Sequence, residues 1–507
     1  MTKNKQERLQ LSAAMVIFGG TGDLTHRKLM PALYNLIYNG LLPDAFVVVS
    51  VGRREKTTEQ YRDEVYASLH KYSRNKIDPE LWTRLRELIY YYQFDFTDMT
   101  GYTPFKTFLN QMEEERQTGG NKIFYLAVAP DYFATIVSGI HQGGLTEDTG
   151  AWSRLMIEKP FGRDIVTARQ LNEKLLDVFP EENIFRIDHY LGKEMIQNIM
   201  VLRFCNSVFE SLWCSKYIDN VQISFTEKYG VETRGGYYET SGAMRDMVQN
   251  HVLQVLSLVA MEPPVNLSTD AIRSERIKVI QALDEMTPEL LRDNVVFGQY
   301  GRGYIDGQPV VSYREEEKVD PASTAETFVA LKLQINNFRW AGTPFYIRTG
   351  KRMPSAGAQI VIQFKAIPRI LYFQGDQVQE PNLLIIRIQP DTGVFFQFNT
   401  KDMRSSQNDV IPVKMDTSRH IAYQGNTPEA YERLLYDVLH GDSTLFTRWD
   451  AAEASWDFAD KIIQHRGQDI AQFPNYNAGS MGPVRSFELL ARDGRKWWDI
   501  GYEEDGE

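Results

Sequence analysis

Ala13-Ala14-Met15-Val16-Ile17-Phe18-Gly19-Gly20-Thr21-Gly22-Asp23-Leu24 is the stretch on which the fold of this chain turns. The apolar run Ala13 to Phe18 is short and stops at two glycines, so it reads as a strand buried on both faces. After the glycines, Leu29, Leu33, Leu36 and Ile37 fall at helical spacing within 28–38. Strand, glycine turn and helix, in that order, let the backbone approach a pyrophosphate whose charge the helix N-terminus favours. A plain strand–helix turn uses the same glycines, so the motif needs support from the rest of the chain.

Working outward, 46–51, 123–128 and 154–157 read as further short strands, with helical spacing at 59–69 and 168–178. Alternating strands and helices predict a parallel, doubly wound sheet over the first 185 or so residues. Beyond it the pattern changes. Strands are expected at 221–225, 327–335, 345–348, 360–364, 383–388 and 394–399, several alternating with period two and few separated by helices. Helices are expected at 247–261 and 429–439. The predicted fold is an α/β Rossmann-like N-terminal domain, residues 12–187, followed by an α+β domain, residues 188–507, with a large, mainly antiparallel sheet.

Composition narrows the function. The 507 residues are 43% hydrophobic and 24% charged, which suits two large domains or three of about 150 residues. Lys plus Arg total 56 against 67 Asp plus Glu, a net charge of −11. Such a surface repels phosphate backbones and anionic membranes, so neither nucleic acid nor membrane is expected as a partner. An anionic small molecule needs a locally basic pocket. No apolar run reaches about 18 residues, and Met1 to Leu11 lacks a signal-peptide core. Cys205 and Cys214 read as two small buried apolar residues, and sparse cysteine suits a reducing cytoplasm. The acidic tail with Glu503, Glu504, Asp505 and Glu507 is expected to be solvated.

Three further segments carry chemistry. The second strand ends in Gly52-Arg53-Arg54, where an NAD site would favour an acid. Two guanidiniums there point to the extra phosphate of NADP. Arg27 and Lys28 add charge near the glycine turn, and His26 has no assigned task and is expected to be exposed. The second segment, Arg186-Ile187-Asp188-His189-Tyr190-Leu191-Gly192-Lys193-Glu194, crowds imidazole, phenol and ammonium together. With Asp188 as N-cap, a helix would bring His189 and Lys193 to one face, a receptor for a phosphate dianion. A capped helix with a salt-bridged surface reads equally well. Third, Asp246, Asn250 and His251 ride on an otherwise apolar helix. A lone histidine there is usually a satisfied core residue, yet partial burial is also what a general base needs.

Together these segments resemble the glucose-6-phosphate dehydrogenase family, bacterial type. The matching pieces are Gly19 to Leu29, Ile157-Glu158-Lys159-Pro160-Phe161-Gly162, Arg186 to Glu194, Arg245-Asp246-Met247-Val248-Gln249-Asn250-His251 and Pro344 to Arg352. The resemblance implies oxidation of glucose 6-phosphate to 6-phosphogluconolactone with NADP as hydride acceptor, the opening step of the oxidative pentose phosphate pathway. It casts His251 as the base on the C1 hydroxyl and Asp188 as the carboxylate that orients it. His189, Tyr190 and Lys193 would bind the substrate phosphate, with Lys351 helping. Glu227 and Asp246 would bind sugar hydroxyls. Lys159, before a cis proline, would lie between substrate and nicotinamide. Gly19, Gly20, Thr21, Gly22, Asp23, Leu24, Lys28, Arg53 and Tyr125 would line the cofactor. No metal is needed, and a homodimer or homotetramer is implied. One departure stands out: Ala356-Gly357 occupy positions where many members carry a basic pair. A different NADP-linked sugar dehydrogenase would not need the cluster at 188–193. A silent NADP-binding regulator would not need His251, Asp188 and Lys159.

Overall fold

The computed structural model describes residues 12–147, 150–368, 380–405, 409–417 and 426–500, with backbone alone at 467 and 468; the acidic tail lies outside them. The chain forms two compact units. One comprises Met1–Gly192 with Asn266–Arg273 and Asn426–Glu453; the other comprises Lys193–Val265, Ser274–Gly425 and Ala454–Glu507. The division therefore falls five residues beyond 187, and two later segments belong to the first unit.

In the first unit six strands, β1 (Ala13–Phe18), β2 (Phe46–Gly52), β3 (Ile89–Gln93), β4 (Lys122–Leu126), β5 (Ser153–Ile157) and β6 (Ile184–Arg186), form one parallel sheet. Its order is β3-β2-β1-β4-β5-β6, so chain direction across the sheet reverses between β1 and β4. Every residue of β1 is buried. Ala13, Met15 and Ile17 join one apolar cluster and Ala14, Val16 and Phe18 the other, the period of two expected of a strand covered on both faces. The helix Ala430–His440, far along the chain, covers one face with Leu434, Leu435, Val438 and Leu439.

The second unit is built on strands β7 (Ile218–Thr226), β8 (Val295–Gly298), β9 (Tyr300–Gly301), β10 (Gly303–Ile305), β11 (Gln308–Val310), β12 (Phe328–Leu333), β13 (Phe345–Gly350), β14 (Gly357–Phe364), β15 (Leu383–Gln389), β16 (Gly393–Lys401), β17 (Val410–Asp416) and β18 (Tyr476–Asn477). Eight of them make a sheet ordered β17-β16-β15-β14-β7-β13-β12-β8. All neighbours pair antiparallel except β7 and β13, which are parallel. The predicted helix over 247–261 is a π-helical segment, Met244–Val252, running into an α-helix, Leu253–Ala260.

Two smaller expectations are corrected. Cys205 is exposed and Cys214 only partly buried, because Cys205 falls at the end of the helix Glu194–Phe204. His26 is half-buried, its Nδ1 3.0 Å from Ser68 Oγ, and burial lowers its pKa. No helix among the described residues is long and apolar enough to cross a membrane.

Candidate active site

The glycine turn leaves β1 at the point where the sheet reverses. An open α/β sheet binds ligands in such a crevice. Gly19 has φ +89°, and a Cβ there would lie 2.3 Å from Ala127 O at the end of β4. A Cβ on Gly20 would lie 2.6 Å from Ser50 Cβ on β2. Both positions therefore require glycine, and the backbone passes flush against two strand ends. Gly22 N donates to Gly19 O at 2.9 Å, and the Thr25 hydroxyl donates to the same carbonyl at 3.1 Å. Thr21 and Leu24 are half-buried, and exposed Asp23 pairs with Arg27 at 3.4 Å.

Lys28 is tied to Glu429, Nζ to Oε2 2.7 Å. Arg53 and Arg54, at the end of β2, are exposed. Their carbonyls accept from Gln93 and Tyr91, and neither guanidinium makes an ion pair among the described residues. A pyrophosphate against the turn and a further phosphate against free guanidiniums fit this arrangement, so the residues present suit NADP.

Strand β5 ends at Ile157, Glu158-Lys159 follow it, and the Lys159–Pro160 peptide is cis. Glu158 is held by two phenols: Tyr125 Oη donates to Oε1 at 2.6 Å and Tyr431 Oη to the same oxygen at 2.9 Å. Burial raises the Glu158 pKa, against those two hydrogen bonds and the adjacent Lys159 charge. Tyr125 is itself fully buried, and burial with the Glu158 charge raises its pKa further.

Asp188 does not cap a helix. Residues 188–193 form a turn, Asp188 Oδ1 accepting from Tyr190 N at 2.9 Å, and the helix starts at Glu194. A short acid that satisfies the backbone two residues on offers the chain an alternative to helix. His189 and Lys193, four apart, therefore do not lie on one face of a helix. His189 is partly exposed and its ring centroid lies 4.8 Å from that of Tyr190, which is buried.

In the second unit Lys193 donates to Gln389 at the end of β15. Lys351, just past β13 and buried, pairs with Glu227, just past β7, and its ammonium lies 5.0 Å from the Tyr238 ring centroid. Glu227 remains 41% exposed at its side chain, so a carboxylate on a buried lysine faces outward. Asp246 accepts from Tyr237 Oη at 3.3 Å. His251 is completely buried, five residues along the same π-helical segment. An outward acid, a buried cation and an imidazole on adjoining elements can orient a polyol, balance an anion and move a proton.

At the departure, 356–357, only Gly357 is closely packed. Ala356 is exposed, and a Cβ at Gly357 would lie 2.3 Å from Ile500 Cγ2. Sequence reasoning missed Glu158 with Tyr431, and Tyr237 with Asp246. The first pair lies 273 residues apart, beyond any spacing rule; the second is signalled by the aromatic pair Tyr237-Tyr238 close before Asp246.

The NAD binding domain of glucose-6-phosphate dehydrogenase matches residues 16–198 and its C-terminal domain matches 200–498. The glucose-6-phosphate 1-dehydrogenase of Bacillus subtilis is 47% identical over 491 residues, 97% of this chain and 99% of that protein. That of Chlamydia pneumoniae is 46% identical over 95% of each chain. A glucose-6-phosphate dehydrogenase solved in complex with its substrate glucose-6-phosphate shares 32% identity and TM-score 0.87, over 96% of this chain and 99% of that one. With both domains and almost the full length matched, the chain belongs to the glucose-6-phosphate dehydrogenase family.

Proposed function

We propose that this chain oxidises β-D-glucose 6-phosphate to 6-phosphoglucono-δ-lactone with NADP as acceptor. The observation that carries the reading is family membership over 97% of the chain, with the quoted motifs intact. When bound, NADP supplies the carbon that accepts hydride from C1. The chain's own work is to bind, orient and take one proton.

His251 takes the O1 proton, and Asp188 holds its imidazole in the productive tautomer, as an orienting carboxylate does in other dyads. This pairing joins residues of different compact units and rests on the family resemblance. Lys193, His189 and Tyr190 grip the phosphate, with Lys351 in support. The phosphate is remote from C1, so its binding energy serves to orient the sugar. Glu227 and Asp246 accept from sugar hydroxyls, and Lys159 adds positive charge beside the reacting carbon. Arg53 selects NADP over NAD through the 2′-phosphate, while Gly19 to Leu24, Lys28 and Tyr125 shape the cofactor turn. The working form is a cytoplasmic homodimer or homotetramer.

The test is absorbance at the NADPH band with glucose 6-phosphate or glucose, each with NADP or NAD. Fast reduction is expected for glucose 6-phosphate with NADP, and little for either glucose pairing. Equal rates with both sugars would overturn the substrate assignment.

A further inference from the structure

We propose that Glu326 is a positioning residue for the proposed base. Its carboxylate, clamped by Arg466, caps the helix that carries Asp246 and His251 and fixes where those side chains stand. The inference rests on the reading of His251 given above, and all its observations lie within the second unit.

The chain enters the segment Met244–Val252 through Gly242, a kink with φ +61° and ψ 176°. A Cβ at Gly242 would lie 2.3 Å from Glu326 Oε1, so glycine lets the helix start dock directly on the carboxylate. The local sequence offers no cap, because Ala243 in the N-cap position has no side-chain oxygen. Glu326, two residues before β12, provides both missing acceptors. Its carbonyl accepts from Ala243 N at 2.9 Å and its Oε1 from Met244 N at 3.2 Å. The other oxygen, Oε2, accepts from Arg466 Nη1 at 2.9 Å.

Glu326 is fully buried. A carboxylate there would be costly without compensation, and two partners provide it: the guanidinium and the positive end of the helix. Held on both sides, it cannot rotate away. A shift of the helix start would be passed along the hydrogen-bonded segment Met244–Val252 to Asp246 and His251. A displacement of about 1 Å at a reacting group costs about 10²-fold in rate.

The experiment uses the full-length protein with Glu326→Ala and Glu326→Gln. Turnover is measured with saturating glucose 6-phosphate and NADP, together with the NADP Kd and amide hydrogen exchange over 243–252 without substrate. For the Ala variant kcat should fall about 10- to 100-fold, with an unchanged NADP Kd and faster exchange at 243–252. The Gln variant has one acceptor oxygen, which can serve Met244 N or Arg466 Nη1 but not both, so its kcat and exchange should lie between those of the Ala variant and the parent. Parental kcat and exchange in either variant would overturn the proposal. Should the Ala variant not fold, Glu326→Asp decides the matter. It keeps the charge but withdraws the acceptor, so slow turnover with fast exchange supports the proposal and parental values refute it. A parent enzyme inactive on glucose 6-phosphate would instead refute the functional reading, and exchange would still report on the cap.

Discussion

The two units meet charged ligands by different means. In the first, the glycine turn works mostly through backbone: Gly19 and Gly20 pack against strand ends, and nearby Lys28 is already committed to Glu429. In the second, it is mostly side chain: Lys351 against Glu227, Lys193 against Gln389, Asp246 against Tyr237. A backbone cradle reads the shape of a pyrophosphate and is broken by adding atoms. A side-chain receptor reads charge at a point and is broken by removing atoms. An acidic chain of net charge −11 can therefore bind two anions, because neither site relies on the long-range field.

Variants sharpen that contrast. The largest effect is expected at His251, where His251→Asn should lower kcat by about 10²- to 10⁴-fold while leaving sugar-phosphate binding largely intact. Steady-state kinetics with a separate binding titration checks this, and near-normal kcat would remove His251 as base. Lys193→Ala should come next, raising KM for glucose 6-phosphate about 10- to 100-fold, the worth of a charge-assisted contact. If the residual rate with unphosphorylated glucose fell as much, the phosphate role would be wrong. Arg53→Ala should cut the preference for NADP over NAD about tenfold with sugar kinetics unchanged. An unaltered cofactor ratio would place the guanidinium outside the site.

The smallest effect concerns Glu158. Burial raises its pKa in the folded protein, so its stabilising contribution is full below the usual carboxylate range and is lost as pH rises through the raised value. Glu158→Gln does not titrate, so its melting temperature relative to the parent should climb between pH 4.5 and pH 8. A gap that does not change with pH would contradict this.

Much of the first unit is legible because a parallel sheet buried on both faces writes itself as unbroken apolar runs, as in Ala13 to Phe18 and Phe46 to Val51. Strand β3 is not. Its Ile-Tyr-Tyr-Tyr-Gln follows the helix Pro79–Leu88 with no glycine or proline between them, so no breaker marks the change. Strand β17 carries Pro412 and half-exposed residues, tolerable because it lies at the sheet edge, and so does not read as a strand. The return of Ala430–His440 to the first unit has no local signature, since covering a distant sheet face needs only an ordinary amphipathic helix. At the candidate site the local backbone was not readable. Asp188 looks like a helix cap, and the Asx-type hydrogen bond to Tyr190 N that makes a turn instead is open to the same side chain. Glu326 carries no signal at all, because its partners Met244 and Arg466 lie 82 and 140 residues away in the chain.

The proposed mechanism turns on His251 removing the proton from the anomeric hydroxyl. A crystal structure of the protein with glucose 6-phosphate bound tests it most directly. A His251 ring nitrogen about 2.6–3.2 Å from the sugar O1, with the phosphate on the Lys193 ammonium, is the expected result. An imidazole turned away from O1 and walled in by apolar side chains, with the sugar bound elsewhere on the unit, would contradict it.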